Sequence, residues 1–288
     1  MTEKNYPTRM HEVLTKPEAC SRCAPCGCGR TEGAKSAGGG RMKQPKYVAS
    51  ISYGKDSLAM LEVIKRNNMP LDRIIHCEVW ATPTIQADLP PMVEFKDKAD
   101  KIIRERYGIE VERVRAAKSY EEQFYQVYQR GNRKGKIYGW PPMTHPWCNS
   151  RLKVAPLKKA TRGFVTYIGI ACDEPGRLHR LTEKLRSPLF ENNITEQWCR
   201  DWCEANDLLS PIYTTATRGG CWFCHNQQID QLRLLRKNYP ELWAMMLKWD
   251  NDAPYPFRLN GTTIHDYEKR FDLEDRQVRF EQVLEVEG

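Results

Sequence analysis

Long apolar runs are missing from this 288-residue sequence, and none approaches the length of a membrane span. Residues 1–16 also lack the apolar segment of a secretory signal. The sequence therefore predicts a cytoplasmic protein with no membrane partner. In that compartment, the 11 cysteines favour metal ligation or thiol chemistry over structural disulfides.

The composition is that of an ordinary soluble globular protein, with 40% hydrophobic and 28% charged residues and no internal repeat. Its 45 Lys and Arg exceed its 37 Asp and Glu, which gives a net charge of +8. This excess suits a polyanionic partner such as a nucleotide or a nucleic acid. Solvated surface lysines are the usual alternative explanation.

The two commonest phosphate-loop patterns, G-x-x-x-x-G-K-[ST] and G-x-G-x-x-G, are absent from residues 46–60. An apolar strand leads instead into a turn at Gly54, and Asp56 or Ser57 is placed to cap the helix that follows. Such a loop presents backbone N–H groups, a helix N-terminus and the Lys55 ammonium to an anion. The alternative is a strand–turn–helix corner without a ligand.

The S-x-G-x-D-S pattern of residues 52–57 resembles the PP-loop of the ATP pyrophosphatase superfamily. It looks most like the branch that contains phosphoadenosine phosphosulfate (PAPS) reductases, and the resemblance covers most of residues 45–235. It implies that ATP, or PAPS or adenosine phosphosulfate (APS), binds here with Mg²⁺, and that Lys55 and Asp56 are catalytic. The nucleotide-binding residues that it implies in this loop are Ser52, Tyr53, Gly54, Lys55, Asp56 and Ser57.

Three zones are predicted along the chain: a Cys-rich, partly flexible arm at 1–44, a nucleotide-binding α/β domain at 45–190, and a helical region at 191–288 that carries a C-x-x-C knuckle. Strands that alternate with amphipathic helices favour a Rossmann-like (HUP-type), mainly parallel sheet with helices on both faces. The predicted strands are Tyr47–Ser52, Arg73–Val79, Glu110–Arg115 and Phe164–Ala171. The predicted helices are Ser57–Asn67, Met92–Tyr107, Tyr120–Gln129, Leu152–Thr161, Thr195–Asn206, Gln227–Asn238 and Pro240–Asp250.

Polar residues follow the last predicted strand at the edge of the sheet where ligands bind. By resemblance to PAPS reductase-like proteins, Gly169 would let the backbone approach the nucleotide. Arg177, counted among the catalytic residues, would hold phosphate or sulfate. Asp173 and Glu174 would bind Mg²⁺ or a polar substrate group, or else cap a helix.

Two residues near the end of the second predicted strand, His76 and Glu78, are further candidates for nucleotide contact. The same resemblance implies this, because family members often place adenine-contacting and acidic groups there. For His76 the alternative is a buried packing role.

The C-x-x-C motif of Cys221 and Cys224 follows two glycines and provides half of a metal site. Candidate partners are Cys148 and the helical pair Cys199 and Cys203, which share a face at i,i+4 spacing. The favoured set is Cys148, Cys203, Cys221 and Cys224. Burial as small apolar side chains is the alternative for these cysteines.

Residues 148–157 look like the cysteine-bearing motif of iron–sulfur APS reductases. That motif carries two adjacent cysteines, whereas Trp147 precedes Cys148 here. The resemblance therefore implies a fourth ligand from elsewhere, which Cys203 would supply. Four thiolates suit a [4Fe-4S] cluster or Zn²⁺ equally.

The N-terminal arm has the cysteine density of a second metal site, which His11 would complete, but its surroundings resemble a disordered segment. The cysteines concerned are Cys20, Cys23, Cys26 and Cys28.

Together these parts predict an enzyme that adenylates a substrate with ATP for sulfur transfer to a nucleic acid, tRNA or DNA, with a possible sulfur-donor protein as partner. One alternative is a sulfonucleotide (PAPS or APS) reductase, but the 64 residues after Cys224 contain no cysteine to act as its nucleophile. The other is a non-enzymatic nucleic-acid-binding module that uses the net charge and the tryptophan-rich helices. The acceptor, the sulfur donor and the oligomeric state are left open.

Overall fold

Five parallel strands form one sheet in the computed structural model, which describes residues 45–214 and 219–286. The strands are β1 (Lys46–Ile51), β2 (Arg73–Glu78), β3 (Val111–Arg115), β4 (Phe164–Ile168) and β5 (Leu185–Arg186). Their order is β3-β2-β1-β4-β5, and every neighbouring pair is parallel. Strands β2 and β3 are added on one side of β1, and β4 and β5 on the other, so the strand order changes direction between β1 and β4. Open α/β sheets bind their ligands at such a point.

The central strand β1 is buried because its side chains meet helices on both faces of the sheet. Val48 and Ala49 are fully buried, and Val48 pairs with Arg73 of β2 and Thr166 of β4. Such a strand has a continuous apolar sequence instead of an alternating one. The predicted α/β class and parallel sheet are confirmed.

The helices of the described residues, numbered in chain order, follow the predicted positions in most cases. They are α1 (Lys55–Arg66), α2 (Pro90–Tyr107), α3 (Tyr120–Phe124), α4 (Ala155–Ala160), α5 (Pro175–Leu178), α6 (Pro188–Glu191), α7 (Glu196–Ala205), α8 (Ile229–Asn238), α9 (Pro240–Asp252) and α10 (Ile264–Val286). A π-helix spans Asn149–Val154 and a 3₁₀-helix spans Pro211–Thr214.

Two predicted elements end earlier than expected. The helix that starts at Tyr120 stops at Phe124, although a capping box of Ser119 and Glu122 fixes its start. The strand from Phe164 ends at Ile168, because Gly169 already passes into the loop beyond the sheet.

Two hydrophobic cores hold these elements together. The sheet core lies between β1, α1, α2 and α7. The aromatic core brings α3 together with α8, α9 and α10 and includes Trp140, Trp222, Trp249 and Phe257. The nucleic-acid-binding alternative would use the helices around five tryptophans, Trp198, Trp202, Trp222, Trp243 and Trp249. All of these except Trp198 are buried in the two cores.

Residues 44–288 belong to one compact unit. The predicted division of this unit at residue 190 stays a prediction, as does the second metal site at Cys20, Cys23, Cys26 and Cys28, which lies outside the described residues. None of the described helices combines the length and apolar character that crossing a membrane requires.

Candidate active site

The loop between β1 and α1 is shaped by a buried tyrosine. Tyr53 has a φ of +55°, which is uncommon for a non-glycine residue. Its ring is completely buried and meets the His76 ring edge-on, with 4.7 Å between centroids. Its hydroxyl donates a hydrogen bond to Asp100 Oδ1 at 2.5 Å. The surrounding contacts therefore fix the left-handed backbone that turns the chain toward α1.

Ser57 closes the loop from the first turn of α1. Its hydroxyl donates to the Gly54 carbonyl at 2.9 Å and accepts from the Ser52 N–H at 3.1 Å. From the far side, the Tyr213 hydroxyl accepts a hydrogen bond from the Lys55 N–H at 3.1 Å. A Cβ at Gly54 would lie 3.3 Å from that hydroxyl, so a larger residue would crowd Tyr213.

Lys55 directs its ammonium to carboxylates. Nζ lies 2.8 Å from Asp56 Oδ1 and 3.0 Å from Glu196 Oε1. Burial acts to lower the pKa of Lys55, but the hydrogen bonds to Asp56 and Glu196 outweigh it and raise that pKa. Burial raises the pKa of Asp56.

A third carboxylate, Glu174, joins this group. Oxygens of Asp56, Glu174 and Glu196 lie within 4.8 Å of one another. Carboxylate oxygens are the ligands that Mg²⁺ prefers. Two of its three members, Asp56 and Glu196, bind the Lys55 ammonium.

Gly169 follows β4 and lies directly against the loop backbone. A Cβ on Gly169 would stand 2.7 Å from the Asp56 carbonyl carbon and 2.7 Å from the Ser57 nitrogen. Glycine is therefore required for this close approach. The contact observed is with the backbone of the loop, and Gly169 also lines the cavity next to it.

The other residues that follow β4 make local contacts. Asp173 accepts a hydrogen bond from the Glu196 N–H at 3.0 Å, so it binds the first N–H of α7. The side chain of Glu174 accepts from the Ala171 N–H and from Arg177, at 3.1 and 2.6 Å. Arg177 is half-exposed and lines the cavity next to the loop.

His76 has one ring nitrogen bonded and one without a partner. Nδ1 lies 3.0 Å from the Ile51 carbonyl oxygen, which can only accept, so we assign the proton to Nδ1. Nε2 is buried and has no hydrogen-bond partner among the described residues. Burial lowers the pKa of His76 to about 4. The imidazole is therefore neutral at physiological pH and offers a lone pair.

Glu78 belongs to a buried ion network beneath the loop. It lies 3.7 Å from Lys96 Nζ and 3.4 Å from Arg113 Nη1. Arg113 also binds Asp100 at 2.7 Å, and Asp100 accepts the Tyr53 hydroxyl. Glu78 lines a different cavity, beside Trp80. The structure thus connects Glu78 to the loop through other side chains, and its contact with a nucleotide stays a prediction.

A cavity of about 460 Å³ opens beside the loop, where the β-strands end. This volume lies within the usual range for small-molecule sites. Predicted residues that line it are Ser52, Tyr53, Gly54, Asp56, Ser57, His76, Gly169 and Arg177. Sequence reasoning missed its further cations, Lys96, Lys153 and Arg180.

Three of the four cysteines of the favoured set lie around a second cavity. Cys148, Cys221 and Cys224 line a space of about 230 Å³. The structure does not bring Cys203 to them. Its Sγ donates to the Lys55 carbonyl at 3.3 Å, in the sheet core. The expected set of four therefore separates into three cysteines around the second cavity and Cys203, which packs on the loop between β1 and α1.

Backbone contacts fix the C-x-x-C turn. The Cys224 N–H donates to the Cys221 carbonyl at 3.0 Å, and the Trp222 N–H donates to the Ala87 carbonyl at 2.9 Å. On the other side of the cavity, Cys148 immediately precedes the π-helix. Burial raises the pKa of Cys148 to about 11 and that of Cys221 to about 12. Both thiols are therefore protonated at neutral pH unless a metal ion displaces the proton.

The residues of the cysteine cavity fit a thiophilic metal centre. Cys148, Cys221 and Cys224 line one space, although their sulfur atoms do not all lie within 4.8 Å of one another. Tyr120 lines the same space, and its buried hydroxyl has no hydrogen-bond partner in the described part of the chain. Burial raises the pKa of Tyr120 most, and Cys148 makes the next largest contribution. The hydroxyl therefore keeps its proton. Sulfur donors select zinc or iron–sulfur clusters over Mg²⁺.

The two cavities meet at one wall. Residues that line both are Val79, Lys153, Gly219, Gly220 and Cys221. The three cysteines raise the pKa of Lys153, and Cys221 has the largest effect. Lys153 lies five residues after Cys148 in the segment compared with APS reductases. This position in the sequence was the available signal that Lys153 belongs to the site.

No family model and no curated protein matches the chain. Among solved structures, one that is similar to it is the U34-tRNA thiolase NcsA from Methanococcus maripaludis with its [4Fe-4S] cluster. The similarity has a TM-score of 0.36 and 15% sequence identity, over 79% of this chain and 81% of that one. A similarity of this size assigns no function by itself.

Proposed function

We propose that this protein is a PAPS reductase-like PP-loop enzyme that binds ATP at residues 52–57 and activates a nucleic acid by adenylation for sulfur transfer. The observation that carries the proposal is the wall shared by the cavity beside the loop and the cavity of Cys148, Cys221 and Cys224. An activated substrate formed in the first cavity would meet sulfur chemistry in the second without crossing bulk solvent. Such proximity supplies a large part of a rate enhancement.

The charges around the first cavity suit a nucleoside triphosphate. Arg177, Arg180 and Lys153 line it, and Gly54 brings the helix N-terminus of α1 to its edge. We expect the ATP phosphates, with Mg²⁺, to draw the Lys55 ammonium away from Asp56 and Glu196. The freed carboxylates would then be available to the magnesium ion.

The proposed reaction has two displacement steps. A substrate oxygen attacks the α-phosphorus, the bond to the bridging oxygen breaks, and pyrophosphate leaves. A hydrosulfide from a sulfur donor then attacks the activated carbon. The carbon–oxygen bond breaks and AMP leaves with that oxygen. The cations of the first cavity would stabilise the negative charge that develops in both steps.

We propose a [4Fe-4S] cluster for the cavity of Cys148, Cys221 and Cys224. Each of its four irons needs one ligand from outside the cluster, so three thiolates leave one iron with an open position for a sulfur ligand. Zinc with three protein ligands and one open position is the competing assignment. Anaerobic purification, metal analysis and a visible absorption spectrum distinguish them, because iron with broad charge-transfer bands supports the cluster and zinc alone refutes it.

Pyrophosphate release from ATP and Mg²⁺, with a tRNA pool or DNA as acceptor, tests the activity. We expect Lys55→Ala to slow release about 100-fold, since removing one donor that stabilises developing charge costs roughly 10²–10³ in rate. Lys65→Ala is the matched control, because Lys65 lies near the far end of the same helix and binds the Arg106 carbonyl. Mass spectrometry of the nucleosides, after adding sulfide, identifies the thiolated product.

Other outcomes of this assay would contradict the proposal. Sulfite released from APS or PAPS, with no pyrophosphate from ATP, would identify a sulfonucleotide reductase. Tight nucleic-acid binding without turnover of any of these nucleotides would identify a binding module.

A further inference from the structure

Tyr120 carries a buried hydroxyl that the fold leaves unbonded. The residue is 1% exposed, and its hydroxyl oxygen has no hydrogen-bond partner among the residues that the structure describes. An unsatisfied buried donor destabilises the folded chain. Phenylalanine would fill the same space without that cost, so the hydroxyl calls for a partner that is not part of the chain.

The Tyr120 ring is held in one orientation. Aromatic neighbours pack against it, with ring centroids 4.0 Å away at Phe223, 5.0 Å at Trp147 and 5.3 Å at Trp249. Its backbone N–H donates to the Trp80 carbonyl at 2.7 Å. The hydroxyl therefore cannot swing out to water, and its partner has to come to it.

The space that Tyr120 lines is the cavity of Cys148, Cys221 and Cys224. Its volume of about 230 Å³ leaves room for a bound group between the three thiols. A phenol in this position is a donor, and a sulfur-rich group offers acceptors. The residue with the unpaired hydroxyl and the three cysteines are independent features that line one space.

We infer that the Tyr120 hydroxyl donates a hydrogen bond to a sulfur atom of the group bound by Cys148, Cys221 and Cys224, and so tunes its reduction potential. The inference rests on the proposed [4Fe-4S] site. Hydrogen bonds to cluster sulfurs stabilise the more negative, reduced state and raise the potential. Tyr120 is a positioning and tuning residue in this role, and the loss of its hydroxyl lowers the potential.

The test is a redox titration of the full chain, purified anaerobically, as wild type, Tyr120→Phe and Tyr167→Phe. Tyr167 is the matched control because its buried hydroxyl also lacks a partner in the described residues, while its ring stacks on Tyr47 in a different part of the molecule. We expect a more negative midpoint potential in Tyr120→Phe and an unchanged one in Tyr167→Phe. Iron per chain and circular dichroism confirm that each variant is loaded and folded.

A second measurement compares the same three proteins by vibrational spectroscopy. Exchange into heavy water should shift the iron–sulfur stretching bands in the resonance Raman spectrum, and the shift should shrink in Tyr120→Phe. Equal potentials and equal isotope shifts in all three loaded proteins would overturn the inference and leave the cluster in place. A wild-type chain that takes up no iron would overturn the cluster and the inference together.

Discussion

Single side chains determine the shape of the loop between β1 and α1. Tyr53 adopts a left-handed backbone because its ring is locked between His76 and Asp100. Gly169 lets the chain after β4 touch the loop backbone, at a distance that no Cβ allows. His76 is neutral, since burial lowers its pKa to about 4. At this scale the loop depends on buried groups that are sensitive to small changes.

The pH dependence of folding should report on His76. Its pKa lies at about 4 in the folded chain and near the ordinary 6.5 in the unfolded chain. Between these values only the unfolded state binds the proton, so the free energy of unfolding falls as the pH drops from 6.5 to 4. The full loss is about 3 kcal/mol, at 1.36 kcal/mol for each pKa unit. Three charged groups near the ring also act on the pKa of His76: Lys96 lowers it, and Asp88 and Glu78 raise it.

His76→Gln removes this titration, and we expect its unfolding free energy to fall less than that of the wild type over the same pH range. Urea titrations of both proteins at pH 8, 7, 6 and 5 measure the difference. Above pH 7 the two profiles should run parallel. Parallel profiles down to pH 5 would show that His76 has the same pKa in the folded and unfolded states.

Helix packing explains why one predicted metal ligand was misplaced. Cys199 and Cys203 do share a face of α7, as their i,i+4 spacing indicates, and both are fully buried. That face packs on α1, where Cys203 donates to the Lys55 carbonyl. Sequence spacing gave the shared face but not the surface that it meets. The cysteine that approaches the C-x-x-C turn in space is Cys148, more than seventy residues earlier in the chain.

Paired substitutions separate these two environments. We expect Cys221→Ala to lose most of the bound iron, because one of three thiolates disappears. Cys203→Ala should retain it and lose stability, on the order of 1 kcal/mol, from the buried volume removed. Metal analysis and thermal unfolding measure both effects. Equal iron loss in the two variants would return Cys203 to the ligand set.

The molecule as a whole was partly predictable from its sequence. Strands β1 to β4 and helices α1, α2, α7, α8 and α9 were found because their apolar periodicity is strong. The two-residue strand β5 is too short for any pattern, and almost half of the residues of α10 are charged, so both were missed. Lys153 and Tyr120 were missed as site residues for another reason. Their roles depend on neighbours from distant segments, which only the tertiary structure identifies.

Residues 44–288 enclose both cores and both cavities, so this unit should fold without the N-terminal residues. We expect a chain that begins at Gln44 to unfold at the same temperature as the full chain. It should also keep the metal of Cys148, Cys221 and Cys224. Comparing metal content per chain between the two proteins then measures what Cys20, Cys23, Cys26 and Cys28 hold. Loss of all iron on truncation would show that the N-terminal cysteines are its ligands.

The π-helix of Asn149–Val154 connects Cys148 to Lys153, so the number of residues in this segment sets how the two side chains are placed relative to each other. A π turn contains one residue more than an α turn, and such turns mark single insertions within helices. Deleting one residue between Cys148 and Lys153 would restore α-helical winding. It would rotate one side chain about 100° relative to the other around the helix axis. The one additional residue of the π turn therefore sets how Lys153, which lines both cavities, is oriented relative to Cys148.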